Sequence, residues 1–355
     1  MIEQDHLQVY TLTLTTRGLM HIGNGQKTPR KEYVFDSRRG TVSFLDEQAF
    51  FDLLIQRDLV DLFERFCLRN GGDLYYFLCK ECGLTMTQIA PAVRYEVRVS
   101  DALDPEHSLK DIHRFMRDAQ GRAYVPGSSV KGALRTALLY QRISWEDPQH
   151  HALIKDKIPE ERHFHTLGVD QKHPMDAVNS ILRGVQISDS EPISDRAMTL
   201  AIKQDGLVDG GVHSINLCRE CIAPGTSIRL RLTLDQSILK GRITAQSILE
   251  SISAFSQYAA RTYGSHFTKP DGYVTPHEQN TLYLGGGAGF FSKSLVYPYL
   301  GESRGLAFAS DYLNQKFSNH HRERDRALGI SPRTLKVGKY RQKLYAFGAC
   351  EVTIQ

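Results

Sequence analysis

Tyr124-Val125-Pro126-Gly127-Ser128-Ser129-Val130-Lys131-Gly132-Ala133-Leu134-Arg135-Thr136-Ala137-Leu138 reads as a strand, a tight turn and the start of a helix. Pro126 fixes its own φ and ends the strand, and Gly127 supplies the backbone freedom of the turn. Ser128 or Ser129 is expected to cap the helix, leaving unpaired N–H groups and a positive dipole end in the first turn. Such a helix start suits an anion. Lys131 and Arg135 are four apart and share the face just beyond it. Gly132 and Ala133 keep that face low, so the expected occupant is a phosphate of a polyanion.

Working outward, the alternation of Leu7, Val9, Leu12 and Leu14 predicts a strand with one buried face, followed by a glycine-punctuated loop over 18–25. Asp46-Glu47 open a helical stretch carrying Phe50, Phe51, Leu54, Leu62, Phe63 and Phe66, with Gly71-Gly72 as its stop. Residues 145–180 are polar, His-rich and broken by Pro148, Pro159 and Pro174, which reads as a surface insertion. Strands are expected over 184–188, 198–202, 213–217 and 227–234, and an amphipathic helix over 244–263. A strand over 282–284 enters Gly285-Gly286-Gly287-Ala288-Gly289; Ser292 then starts a helix, and 344–354 closes as one strand. Strands and helices alternate without strict βαβ periodicity, which predicts an α+β fold.

The bulk properties narrow the function. With 355 residues and 41% hydrophobic content, the chain has enough apolar material for one large or two ordinary domains. No run of about 18 apolar residues supports a membrane span, and Met1-Ile2-Glu3-Gln4-Asp5-His6 is wrong for a signal peptide, so a cytoplasmic protein is expected. Gly-x-x-x-x-Gly-Lys-Ser/Thr is absent, which argues against a nucleotide triphosphatase. Net charge is only +4, but residues 316–345 carry nine Lys/Arg against Glu323 and Asp325. Residues 36–82 instead carry nine acidic against six basic side chains. That asymmetry suggests one face for nucleic acid and another for protein.

Two cysteine pairs, Cys79/Cys82 and Cys218/Cys221, have zinc-knuckle spacing but lie far apart in the chain. The second pair sits in a strand-like run, where positions i and i+3 face opposite ways. Buried thiols are therefore expected, with a shared metal as the alternative. No cofactor is expected.

Gly285, Gly286, Gly287 and Gly289 let consecutive N–H groups point into an anion-binding concavity. Phe290 and Lys293 follow closely, a pairing of stacking surface and charge suited to single-stranded RNA. Arg333, Lys336, Lys339 and Arg341 surround Tyr340 in a basic run fit for backbone contacts. His21, within Gly18-Leu19-Met20-His21-Ile22-Gly23-Asn24-Gly25, titrates in the range a general acid or base needs, but no partner sits beside it in sequence.

The Pro-Gly-Ser-Ser-x-Lys-Gly-Ala-x-Arg pattern over 126–135 closely resembles the signature of the RAMP proteins of CRISPR systems. The segments 18–25 and 284–291 fit the same family in order. With Ser331 to Lys336 and Gly348, the whole resembles the fifth-subunit family of type III-A Csm effectors. The resemblance implies two ferredoxin-like, RNA-recognition-type modules. These are expected as 1–187, with a helical insertion at 46–70 and a polar one at 145–180, and 188–355, with the glycine-rich loop 285–289. It implies a non-catalytic subunit at the 3′ end of the crRNA that caps the backbone filament and supports crRNA maturation. Its implied partners are the backbone RAMP subunit, the small helical subunit and host 3′-trimming nucleases. Two rival readings stay open: a metal-independent repeat endoribonuclease using His21, and a protein-docking assembly subunit that does not touch RNA.

Overall fold

The structure, a computed structural model, describes residues 6–99, 111–317 and 323–355. The described strands run in chain order as β1 Leu7–Thr16, β2 Gly23–Thr28, β3 Tyr33–Asp36, β4 Thr41–Leu45, β5 Val93–Val99, β6 Ile112–Phe115, β7 Val185–Ile187 and β8 Met198–Leu207. They continue as β9 Val212–Ile222, β10 Ser227–Asp235, β11 Tyr273–Val274, β12 Thr281–Tyr283, β13 Thr334–Tyr340, β14 Lys343–Ala346 and β15 Ala349–Ile354.

The first sheet has the order β12-β15-β1-β10-β7, antiparallel throughout. Its register follows from apolar alternation. Leu12 and Leu14 on β1 and Ile228, Leu230, Leu232 and Leu234 on β10 all turn to one face and are buried. A one-residue slip would send every one of them to solvent. Each such side chain contributes about 1.5–3 kcal/mol when fully buried. Two helices, Gly127–Ile143 and Ala245–Thr262, cover that face, with Val130, Leu134 and Leu138 from one and Ile248, Ile252 and Phe255 from the other. Tyr140 joins the helices, its ring 5.5 Å from Phe255 and 5.1 Å from Tyr258. Thr244 opens the second helix through a capping box with Ser247. Taken as β1, helix, β7, β10, helix, β15, the order β15-β1-β10-β7 is the ferredoxin-like one. The α+β expectation is met.

The second sheet runs β11-β14-β13-β8-β5-β4-β3, with β9, β6 and β2 continuing it from the other edge of β8. Strands from both sides of residue 187 enter both sheets; β1, for instance, lies between β10 and β15.

Several local expectations need correction. The helical stretch after Asp46 is two helices, Glu47–Gln56 and Val60–Leu68, parted where Asp58 takes φ 56°. The region after Gly289 starts its helix at Val296, because residues 291–293 form a turn. The expected closing strand is interrupted at Gly348, φ 81°, where a side chain would strike the Leu284 carbonyl oxygen 2.3 Å away. The 145–180 segment is anchored, not a simple surface loop: Phe164 is fully buried, with the guanidinium groups of Arg135 and Arg142 each 5.3 Å from its ring centre.

Candidate nucleic-acid interface

The helix start at 127 departs from expectation first. Pro126 is the N-cap, and neither Ser128 nor Ser129 makes a capping bond. The Gly127 N–H instead donates to the Asp189 carboxylate at 2.8 Å, and the Val125 N–H donates to Ser190 Oγ at 2.9 Å. The chain has supplied its own anion to the positive end of the helix. Gly127 is required because a Cβ there would lie 2.2 Å from the Ile187 carbonyl oxygen. Asp189→Ala is expected to cost about 1 kcal/mol of stability, the usual worth of a lost cap, with Asp189→Asn retaining most of it. A urea titration checks this. Arg135 is held by Glu160 at 2.8 Å, while half-buried Lys131 makes no hydrogen bond or ion pair among the described residues.

The other motifs converge. The glycine loop has φ 78°, 88° and 100° at Gly285, Gly287 and Gly289. It lies against the turn carrying His21: the Gly286 N–H donates to the His21 carbonyl at 2.7 Å. A Cβ on Gly285 would stand 2.0 Å from that same oxygen, and one on Gly287 would stand 2.2 Å from Nη1 of Arg219. Lys293 Nζ donates back to the Gly285 carbonyl and so fastens the loop. Phe290 packs between two clusters of the core, and Phe291 stacks on Tyr263 at 4.3 Å.

His21 is 5% exposed, and its Nδ1–H donates to the Glu220 carbonyl at 2.6 Å. Burial pushes its pKa down to about 4, aided by Arg219 and His113 and opposed by the Glu220 bond. The ring is therefore neutral at neutral pH, with Nε2 turned toward Gly23. The Glu220 side chain is fully buried on the opposite face of β9. There it accepts from Tyr95, Arg114, the Phe115 N–H and Arg117.

The sheet register assembles a row of cations of which sequence reading named only Lys336. Lys27 on β2 pairs with His113 on β6, and His113 pairs with Arg219 on β9. Arg219 pairs with Ala201 on β8, two residues from Lys203, and Asp205 pairs with Lys336 on β13. Cross-strand partners share a face, so Lys27, His113, Arg219, Lys203 and Lys336 form one ladder under the glycine loop. Lys336 reaches Asp205 at 2.7 Å. Burial, then Lys336 and Arg219, lower Lys203 to about 8. Lys293, lowered by burial and Arg219, and His113, lowered by burial, Lys27 and Arg219, follow suit. Arg219 is lowered by burial, and its Nε and Nη1 are buried without a hydrogen-bond partner among the described residues. Cations that depress one another in this way make a strong anion site.

Of the C-terminal basic run, Arg333 pairs with buried Asp325 at 3.2 Å and Lys336 joins the ladder. Lys339 alternates to the other face of β13, and Arg341 stands exposed at the β13–β14 hairpin. The cysteines do not converge. Cys79 and Cys82 pack against the cluster beneath the 47–68 helices, Cys218 lies in the main core, and Cys221 lies with Leu19 and Phe347. Among the described residues no helix is long and apolar enough to cross a membrane.

Comparison with known proteins agrees with this architecture. A model of the RAMP superfamily matches residues 13–351. The CRISPR system Cms protein Csm5 of Mycobacterium tuberculosis (strain CDC 1551 / Oshkosh) is 28% identical, with 99% of this chain and 98% of that protein covered. Csm5 of Streptococcus thermophilus is 25% identical, with 81% and 80% covered. Among solved structures, a chain of a type III-A Csm–crRNA–target RNA ternary complex superposes with TM-score 0.66 at 16% identity, with 97% and 100% covered. The crystal structure of T. onnurineus Csm5 follows with TM-score 0.56 at 15% identity, with 96% and 99% covered.

Proposed function

This chain belongs to the RAMP superfamily, and on that premise we propose that it is a non-catalytic RNA-binding subunit of a type III-A CRISPR effector. It grips the 3′ part of the crRNA, ends the filament of backbone subunits and supports crRNA maturation by admitting host trimming nucleases. Its similarity to Csm5 proteins over nearly their whole length supports this reading. The observation that carries it is half-buried Arg219, whose Nε and Nη1 are buried and unpartnered among the described residues, in a row of cations beneath a glycine loop. A phosphodiester neutralises that row without reading base identity. Neutral, enclosed His21 supports a subunit that binds RNA without cutting it. Exposed Phe51, Ile55 and Leu68 on the 47–68 helices offer apolar surface for a neighbouring subunit, the backbone RAMP subunit or the small helical one.

The test uses purified protein and labelled repeat-containing RNA in chelator, run in parallel on native and denaturing gels. Shifted, intact RNA is expected. A discrete cut that disappears in His21→Ala would make the protein a processing enzyme, and no shift at any salt would leave a protein-docking subunit. RNA affinity is also expected to fall as pH rises from 7 to 9. Lys203 is charged below about 8, and a bound phosphate raises its pKa, so binding takes up protons in that window and weakens as it is crossed. Anisotropy titrations across pH check this, and Lys203→Arg should flatten the profile.

A further inference from the structure

On the same face as the ladder, the second sheet opens into a groove of about 800 Å³. Its cause is topological. One edge of β8 is shared by β5, which pairs at Thr199 and Leu200, and by β13, which pairs from Gln204 to Leu207. The two strands part, and the gap between them is floored by Thr199 and walled by Arg98 and Tyr340. Arg98 is the cross-strand partner of Thr199, so it stands on the face that carries Ala201 and Lys203.

The charges in the groove are unbalanced. Of its two carboxylates, Glu96 is held by Ser43 at 2.9 Å and Arg39 at 3.4 Å, and Asp195 by Arg117 at 2.8 Å. The side chains of Arg98 and Arg196 make no hydrogen bond or ion pair among the described residues, and both are exposed. Arg341 lies over the Tyr340 ring, 5.2 Å from its centre. The hairpin that holds it there puts two consecutive non-glycine residues, Arg341 and Gln342, at φ 48° and 61°. A two-residue turn of this kind favours Asn-Gly, so an arginine at its tip is an unfavoured backbone kept in place.

We propose that this groove takes a second stretch of single-stranded RNA, distal to the one held at the glycine loop, with phosphates against Arg98 and Arg196 and a base against Tyr340. The proposal rests on the RNA-binding reading above and adds a second contact region to it, which a strand reaches from the glycine loop by skirting the buried cluster of Leu19, Ala201, Cys221 and Phe347. Stacking on tyrosine and backbone contact to arginine are both indifferent to base identity, which suits a guide of any sequence.

The experiment measures binding of four- and twelve-nucleotide oligouridylates to the full chain over a salt series, for the wild type and for Arg98→Gln with Arg196→Gln. The short oligomer is expected to bind both proteins within about twofold. The long one should bind the variant about tenfold more weakly, with a salt slope shallower by roughly 1.4, two phosphates at about 0.7 each. In the wild type, 4-thiouridine-substituted twelve-mer should photocrosslink to the Tyr340–Arg341 hairpin, a readout that needs no substitution. Unchanged affinity and slope for the long oligomer, with no hairpin crosslink, would overturn the proposal and leave the groove to an acidic protein segment. Loss of the crosslink on adding uridine monophosphate would assign the groove to a free nucleotide and also overturn it. If the wild type binds neither oligomer, the RNA-binding reading itself fails, a result separable from failure of the groove alone.

Discussion

Lys203→Met combined with Arg219→Met is expected to weaken single-stranded RNA binding by about 100-fold while making the free protein more stable. The loss in binding follows from removing two charge-assisted phosphate contacts, each worth about 1.5–3 kcal/mol. The gain in stability follows from the same residues in the free state. Arg219 carries buried, unpartnered Nε and Nη1, and such groups cost about 1–3 kcal/mol apiece when left unmade. Lys203 has its pKa lowered in the folded chain, to about 8. A lysine with a lowered folded pKa opposes folding most below that value, and the penalty relaxes as pH rises toward the unfolded value. Partial exposure screens this, so about 1 kcal/mol is expected from Lys203 at neutral pH. Fluorescence anisotropy and urea titration of the same preparation read both effects. A variant that lost RNA affinity and stability together would show that the cations hold the fold and not the ligand.

Gly285→Ala is expected to cost about 3–5 kcal/mol, from a left-handed backbone and from overpacking against a carbonyl that cannot move aside. Gly285 has φ 78°, and its Cβ would stand 2.0 Å from the His21 oxygen. That oxygen is itself committed to the Gly286 N–H. The neighbouring Gly286→Ala is the control: Gly286 is not among the positive-φ glycines, and its Cβ would meet His21 Cδ2 at 3.4 Å. It should cost under about 1 kcal/mol. Denaturant midpoints separate the two; equal midpoints would mean that the loop is not seated on the His21 turn in solution.

What the sequence made legible was whatever a short window determines. β10 announces itself because its alternation is set by one buried face, and the 245–262 helix by its apolar spacing. On β1 only Leu12 and Leu14 of the expected apolar positions share the buried face, while Val9, out of phase with them, is exposed. The glycine loop was visible because glycine is needed where its backbone meets another. The helix break at Asp58 carries no Gly or Pro in Arg57-Asp58-Leu59 to mark it. Asp189 could not be foreseen as the partner of Gly127, since it reaches the helix start from a loop 62 positions later. The ladder was illegible for the same reason. Lys203 and Arg219 are single basic residues inside apolar strands, and only the antiparallel register of β8 and β9, with β6 laid parallel beside them, turns them into a row.

The interleaving of the first sheet has a consequence for how the molecule comes into being. β1 leaves the ribosome hundreds of residues before β15, yet one of its edges is matched to that strand. Until β15 arrives, β1 presents open hydrogen-bonding groups along that edge from Leu12 to Thr16, a template for pairing with another chain. Closure over so long a loop is entropically slow. The nascent chain is thus most exposed to aggregation just before synthesis of β15, and a fusion that delays or blocks β15 should harm yield far more than the same fusion at residue 6.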